Sequence, residues 1–257
     1  MDTEKLLSHI RTEIACGSDA VRAKRALFRD RLRLYVDTEK DRDKVSDNTI
    51  YAAMQVSLAV LGSDDIDVTF ASRTSADDER AERLSALARY DMGEMRLREL
   101  NYQKDWDRLF FGVGIRVKTG WDSMKKIPTW IVKDPLSWIP DPLGNHVDPF
   151  RFHYFEEAML PGSMTTERGF DPNLVSEFTQ GNRGMSSTRT ARTEPTSSKS
   201  PDTPITVYNG YTAYDGRFWS VTVDADISTV LRLVELPIDE EGRHEDVVNL
   251  SYFSPLR

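Results

Sequence analysis

The hydrophobic pattern of this 257-residue chain changes at Gly112, and this change limits its fold more than any other feature. Before Gly112, apolar residues recur three and four positions apart, which is typical of amphipathic helices. After it, short segments alternate apolar and polar residues between turns rich in Pro, Gly and Asp, as antiparallel strands do. The sequence therefore predicts an α+β protein: a helical N-terminal half with a long helix, followed by a β-rich antiparallel meander.

The helical half is predicted to begin with two helices. The first carries an apolar stripe over residues 6–14 and ends at 17–19, where a Gly-Ser-Asp run breaks the pattern and can cap the second helix. A third helix runs from an N-cap at 46–47 to Gly62. Residues 65–71 then alternate apolar and polar side chains, which predicts one short, half-buried strand.

Residues 75–111 contain no proline and carry an apolar stripe, so they predict one long helix with a kink at Gly93 or Asn101. Further along the chain, the pattern predicts a β-hairpin, a single strand, two short helices and a three-stranded meander. These elements are expected at 113–121 with 128–133, at 151–160, at 163–168 and 172–178, and at 205–214, 218–223 and 230–236.

We divide the sequence into four parts. Residues 1–111 form the helical part with one short strand, and 112–178 form a β-rich part with Asp-Pro turns. Residues 179–204 contain no aromatic residue and cannot bury enough surface to offset their ordering entropy, so they predict a flexible linker or loop. Residues 205–257 form the meander, which is expected to continue beyond the end of the chain.

Composition excludes several classes of protein. The single cysteine, Cys16, rules out an internal disulfide framework, and no apolar segment approaches the ~18 residues of a membrane span. A net charge of -8 argues against a protein that binds nucleic acid over a broad surface, because such binding needs clustered Lys and Arg. The same charge is compatible with a protein that lets DNA slide past.

No catalytic or phosphate-binding motif is present, and the sequence therefore predicts a protein that is not an enzyme and has no cofactor. One candidate metal site remains in the Asp-Pro pairs that begin at residues 134, 141 and 148. Asp141, Asn145 and Asp148 could supply oxygen ligands to calcium. Asp before Pro is also an ordinary turn former, and we favour that interpretation, with no bound metal.

Charge clusters give the candidate contact residues. Residues 19–35 carry six basic and two acidic side chains, a net charge of +4 in an acidic chain. This basic helix could contact DNA phosphates, or an acidic surface on a partner or a neighbouring subunit. Acidic counterparts occur at 77–79 and 239–241. The candidate contact residues are Arg22, Arg25, Arg29, Arg33, Asp77, Asp78 and Glu79.

A series of motifs, in order, resembles the N-terminal part of the portal proteins of short-tailed bacteriophages. The resemblance covers roughly residues 20–257, apart from 179–204. It depends on the combination of motifs and not on any single one. The motifs are SDNTIYAAMQVSLAVL (46–61), DVTF (67–70), DDERAERLSAL (77–87), GIRVKTGWD (114–122), KDPLSWIPDP (133–142), PITVYNGYTA (204–213) and VLRLVE (230–235).

The resemblance implies a structural virion protein, equivalent to the outer wing of a portal subunit. Such subunits form a ring, usually a dodecamer, at one capsid vertex through which double-stranded DNA is packaged and ejected. The implied partners are terminase, a major capsid or scaffolding protein, and a tail adaptor, with no membrane. The implied location is the virion, and the host cytoplasm during assembly.

Portal chains usually continue for hundreds of residues into stem, clip and tunnel elements. This sequence therefore corresponds either to part of a longer chain or to a free-standing relative, and tunnel residues cannot be assigned. The alternative to a portal is a head-tail adaptor or minor capsid protein without a DNA channel of its own. A DNA-modifying or hydrolytic enzyme would need a metal site, for which 141–148 is the only candidate.

Overall fold

The computed structural model describes residues 2–36, 49–61, 68–72, 77–144, 151–166, 169–181, 204–236 and 248–252. Within these residues the α+β fold is confirmed. The described helices are α1 (Thr3–Val36), α2 (Thr49–Leu61), α3 (Asp78–Glu94), α4 (Leu97–Phe111), α5 (Pro161–Thr166) and α6 (Pro172–Gly181). The described strands are β1 (Val113–Asp122), β2 (Ile127–Lys133), β3 (Trp138–Pro140), β4 (Phe152–Met159), β5 (Ile205–Tyr214), β6 (Arg217–Asp224), β7 (Val230–Glu235) and β8 (Val248–Tyr252).

The chain forms two compact units, and each combines segments that are distant in sequence. The sheet unit contains residues 1–23 and 137–245, and the helical unit contains 24–136 and 246–257. Helix α1 is continuous across the division at residues 23 and 24.

The sheet unit contains a five-stranded antiparallel sheet in the order β3-β4-β5-β6-β7. The first half of α1 packs on this sheet through the apolar stripe that the sequence predicts. Burying each Leu or Ile side chain of this kind stabilises a fold by about 1.5 to 3 kcal/mol. The buried cluster consists of Leu6, Ile10, Ile14, Ile139, Phe152, Tyr154, Val221 and Val223.

The predicted helix break at 17–19 is wrong, because α1 runs without interruption from Thr3 to Val36. Gly17 is instead a packing residue. A Cβ atom at position 17 would lie 2.6 Å from Ile139 Cγ2 and 2.7 Å from the carbonyl oxygen of Pro140. The absence of a side chain therefore lets the helix approach β3 closely, which offsets the poor helix propensity of glycine.

We expect Gly17→Ala to lower the free energy of unfolding by about 1 to 2 kcal/mol, because overpacking outweighs the gain in helix propensity. Gly93→Ala is the matched control, since a Cβ atom there would meet nothing within 4 Å in helix α3. It should raise the free energy of unfolding by about 0.5 to 1 kcal/mol. Urea denaturation of both variants measures this, and a stabilising Gly17→Ala would contradict the packing role.

The helical unit contains a three-stranded antiparallel sheet, β2-β1-β8, and an aromatic core. Phe110 and Phe111 at the end of α4 are buried, and their rings meet edge to face with centroids 4.9 Å apart. Phe28 of α1 packs against Phe111 at 5.1 Å. The other members of this cluster are Leu32, Met54, Trp106, Leu109 and Leu136.

The predicted long helix is divided into α3 and α4, with the break close to the predicted kink at Gly93. Arg96 adopts left-handed backbone angles (φ 51°), and the backbone N–H groups of Met95 and Arg96 donate to Asp91 and Gly93. The predicted strand at 65–71 is wrong for residues 68–71, which form no strand, and residues 65–67 lie outside the described part of the chain. There the backbone N–H of Phe70 donates to the Ser85 hydroxyl (2.8 Å) and not to a neighbouring strand.

Most predicted elements of the second half are confirmed within two residues or so at each end, including the β1–β2 hairpin and the β5–β6–β7 meander. The turn between β5 and β6 is formed by Asp215 and Gly216, both with positive φ, as the Asp-Gly pair predicts. Most of the predicted linker, residues 182–203, lies outside the described residues, as does 239–241.

Candidate functional site

The candidate basic contact residues lie along the middle of helix α1. Arg22 is exposed and forms an ion pair with Asp19 of its own helix (2.6 Å). Arg29 is exposed and Arg25 is half-buried. Arg33 belongs to the same helix, but its side chain lies outside the part that the structure describes. Of the three candidate arginine side chains that the structure describes, two are therefore exposed.

A basic residue that the sequence analysis did not select has a structural role in the helical unit. Arg31 Nη1 donates to the carbonyl oxygen of Phe110 (3.3 Å), in the last turn of α4. Carbonyl groups in the last turn of a helix lack intrahelical partners and carry partial negative charge, which a cation stabilises. Part of the basic charge of α1 thus serves packing and not binding.

The candidate acidic residues lie at the start of helix α3 and are all exposed. Asp77 precedes the helix, Asp78 accepts a hydrogen bond from the Ser72 hydroxyl, and Glu79 pairs with Arg83 of the same helix. Negative side chains in the first turn of a helix are stabilised by the helix dipole. Their local role therefore accounts for part of this cluster.

Two helices of the helical unit expose large apolar side chains. On α3 the exposed residues are Leu84, Leu87 and Tyr90. Helix α2 contains no charged residue, and it buries Met54 and Leu58 but leaves Val56 exposed on the opposite side. A helix that is apolar on more than one face is usually covered by protein. These exposed apolar side chains make α2 and α3 candidate contact surfaces.

The first two Asp-Pro pairs are built as turns. The backbone N–H of Leu136 donates to Asp134 (2.8 Å), and that of Leu143 donates to Asp141 (3.0 Å), two residues on in each case. Asp141 is buried, and it also accepts three hydrogen bonds from Arg151, at 2.8 to 3.2 Å. Burial opposes its ionisation, but these hydrogen bonds hold the pKa of Asp141 below its usual value.

The carboxylate of Asp141 is therefore already satisfied by N–H donors. Asn145 and Asp148, the other two candidate calcium ligands, lie outside the described residues. Within the described part of the chain, no group of three or more His, Cys, Asp or Glu side chains could hold a metal ion.

We expect calcium and EDTA to leave the melting temperature unchanged. A cation that binds only the native state would raise it, and Asp141 offers no vacant oxygen for one. Differential scanning calorimetry with each additive measures this. A shift of several degrees that disappears in Asp141→Asn or Asp148→Asn would overturn the turn interpretation.

A buried polar cluster in the sheet unit was missed by the sequence analysis. The Glu13 carboxylate accepts hydrogen bonds from Tyr154 (2.7 Å) and Thr212 (2.8 Å), and His9 Nε2 lies 3.0 Å from its other oxygen. Burial raises the pKa of Glu13, although these hydrogen bonds and the charges of His9 and Arg151 act in the opposite direction. This cluster attaches α1 to strands β4 and β5.

Most tryptophan side chains of this protein have structural surroundings. Trp138 is buried, and Trp130 lies under the Arg116 guanidinium at 4.9 Å. Trp219 donates to the carbonyl oxygen of Tyr214 (3.2 Å). Trp121 alone among these is more than half exposed, at 58%.

No protein-family model matches the chain, and no curated protein matches it in sequence. Within the described residues, no helix is long and apolar enough to cross a membrane.

Proposed function

We propose that this chain is the wing part of a portal subunit, a structural virion protein that forms a ring at one capsid vertex. The ring passes double-stranded DNA during packaging and ejection and binds terminase, a capsid or scaffolding protein and a tail adaptor. The observation that carries this proposal is the order of the portal-like motifs from residue 46 to residue 235.

Support also comes from the exposed helices of the helical unit. Helices α1 and α3 present opposite net charges, and α2 and α3 present exposed apolar side chains. Exposed apolar side chains beside charged ones are typical of contacts between proteins, in which an apolar centre is surrounded by a polar rim. A ring of identical subunits needs two different complementary surfaces on every subunit.

The test is assembly of the purified product of the complete gene. Native mass spectrometry should give one closed oligomer, and negative-stain electron microscopy should show rings with a channel wide enough for double-stranded DNA. A protein that stays monomeric but binds a pre-formed portal ring would contradict the proposal and favour a head-tail adaptor. A gene for the terminase large subunit directly upstream would be independent support.

A further inference from the structure

We propose that the exposed face of α1 in one copy of the chain packs against the exposed apolar ridge of α3 in a second copy. The inference rests on the proposed function for its partner, a neighbouring subunit of the same ring. It assigns the two surfaces that form the contact.

The α1 face has small and apolar side chains, with one acidic residue, between basic flanks. Ala23, Ala26 and Leu27 are exposed and lie on the side of the helix opposite the half-buried Phe28, and Leu27 is 49% exposed. The exposed Asp30 lies on the same side of the helix. Alanine side chains let a second helix approach closely, since the distance between packed helix axes depends on side-chain size.

Basic side chains lie on both sides of this apolar centre. At 3.6 residues per turn, Lys24 lies along one edge of it and Arg29 lies along the other. Both are exposed. This face can therefore hold an apolar ridge at its centre and attract acidic residues at its rim.

Helix α3 has the complementary features. Leu84, Leu87 and Tyr90 form a ridge of large side chains that are 40%, 54% and 63% exposed. Ser85 is the only buried residue of this helix, so the ridge has no role in the core of its own unit. Residues 77–94 carry six acidic and three basic side chains, a net charge of -3.

The two faces match in both size and charge. Large side chains on α3 fit against small ones on α1, and a net charge of +4 over 19–35 faces a net charge of -3 over 77–94. The contact joins two different surfaces, so it is head-to-tail and generates a closed ring or an open filament. Opposite charges at its rim set register and association rate.

A charge-swap experiment tests the contact. The basic variant is Lys24→Glu with Arg29→Glu, and the acidic variant is Glu79→Lys with Asp91→Lys, one residue from each flank of the ridge. We expect each double variant to weaken self-association of the complete gene product by about tenfold or more at low salt, where screening is weakest. The quadruple variant, which carries both reversals, should recover most of the loss, because its charges are again opposite.

A second pair of variants tests the apolar centre. Leu87→Ser should weaken self-association by about tenfold, because it removes a large side chain from the middle of the contact. Met124→Ser is the matched control, since Met124 is 95% exposed in the β1–β2 turn and outside both faces. It should leave self-association unchanged. Circular dichroism melts of all variants separate loss of contact from loss of folding.

The outcomes separate this inference from the proposed function. Wild-type rings that are unaffected by any of these variants would overturn the inference and leave the ring proposal intact. The gene product could also form discrete oligomers without a channel, which each double variant weakens and the quadruple variant restores. That result would support the contact and contradict the portal function. A monomeric gene product would overturn both. A basic variant that loses only DNA binding would identify the α1 face as a DNA surface and overturn the inference.

Discussion

Removal of the Tyr154 hydroxyl group, as Tyr154→Phe, is expected to lower the free energy of unfolding by about 2 to 3 kcal/mol at pH 8. Tyr154 is fully buried, and its hydroxyl donates to the Glu13 carboxylate at 2.7 Å. Burial raises the pKa of Tyr154 well above its usual value, so the hydroxyl remains a donor at this pH. Its loss leaves a buried carboxylate that keeps the hydrogen bond from Thr212 and the neighbouring His9 side chain.

Tyr214→Phe is the matched control for this variant. Tyr214 packs its ring on His9 with centroids 5.1 Å apart, and its hydroxyl makes no hydrogen bond within the described part of the chain. We expect its cost to stay below about 0.5 kcal/mol. Urea denaturation monitored by circular dichroism gives both values, and equal costs for the two tyrosines would show that the Glu13 hydrogen bond contributes nothing.

The stability of the Glu13→Gln variant as a function of pH tests the acceptor of the same hydrogen-bonded cluster. The folded-state pKa of Glu13 is raised above its ordinary value of 4.5. Its contribution to stability is therefore fully present below about pH 4.5 and is lost as the pH rises through the raised pKa. Because glutamine does not titrate, the variant should gain stability relative to the wild type over that interval. A constant difference from pH 4 to pH 8 would contradict the raised pKa.

For the first half of α1, the sequence predicted the buried apolar face correctly but did not reveal the buried Glu13 cluster. The stripe of Leu6, Ile10 and Ile14 identified the buried face, because helical spacing records which side of a helix is apolar. Glu13 lies three residues after Ile10, on the edge of the same stripe, and this was an available signal for a buried carboxylate. Its partners Tyr154 and Thr212 are 141 and 199 residues away, and no local pattern connects them.

Gly17 shows why the helix break was predicted wrongly. A Gly-Ser-Asp run is a common end to a helix, and local propensity alone favours that interpretation. The close approach of α1 to Ile139 and Pro140 overrides it, because only glycine leaves room for the strand. Such a contact joins residues more than 120 positions apart, so it becomes visible only in the folded structure.

The first two of the three Asp-Pro turns were predicted correctly for a related reason, and the third, at 148–149, lies outside the described residues. The carboxylates of Asp134 and Asp141 accept hydrogen bonds from N–H groups two residues on, an interaction that depends only on adjacent residues. The strand expected at 65–71 is wrong for residues 68–71, the part of it that the structure describes, because alternation of side chains does not supply the neighbouring strand that a ladder requires. Local chemistry was predictable, and long-range pairing was not.

Asp107→Asn is expected to raise the free energy of unfolding by about 2 kcal/mol at pH 8 and to change it little at pH 4. Asp107 lies in the second half of α4, and burial, with a smaller contribution from the charge of Asp134, raises its pKa from 3.8 to about 7. A shift of this size corresponds to about 4 kcal/mol if the carboxylate is held rigidly. We expect about half, because a half-buried side chain recovers some solvation when it ionises.

The sign of the effect follows from linkage. A folded-state pKa above the ordinary value means that the wild type keeps this stability below about pH 4 and loses it as the pH rises to about 7. The asparagine variant does not titrate, so its advantage should develop within that interval. Urea denaturation at half-unit pH steps would show the difference, and an NMR titration of the Asp107 side-chain carboxyl carbon would give the pKa directly.

Asp105→Asn is the matched control on the same helix. Asp105 pairs with Arg108 at 3.2 Å, so its replacement should cost a little stability at pH 8 instead of increasing it. Asp134→Asn removes the negative charge of Asp134, which is the smaller of the two causes of the raised pKa. It should lower the pKa of Asp107 without restoring its ordinary value, because Asp107 remains buried. A pKa near 4 for Asp107 in the wild type, or a gain from Asp105→Asn equal to that from Asp107→Asn, would show that the Asp107 carboxylate is solvated in the folded protein.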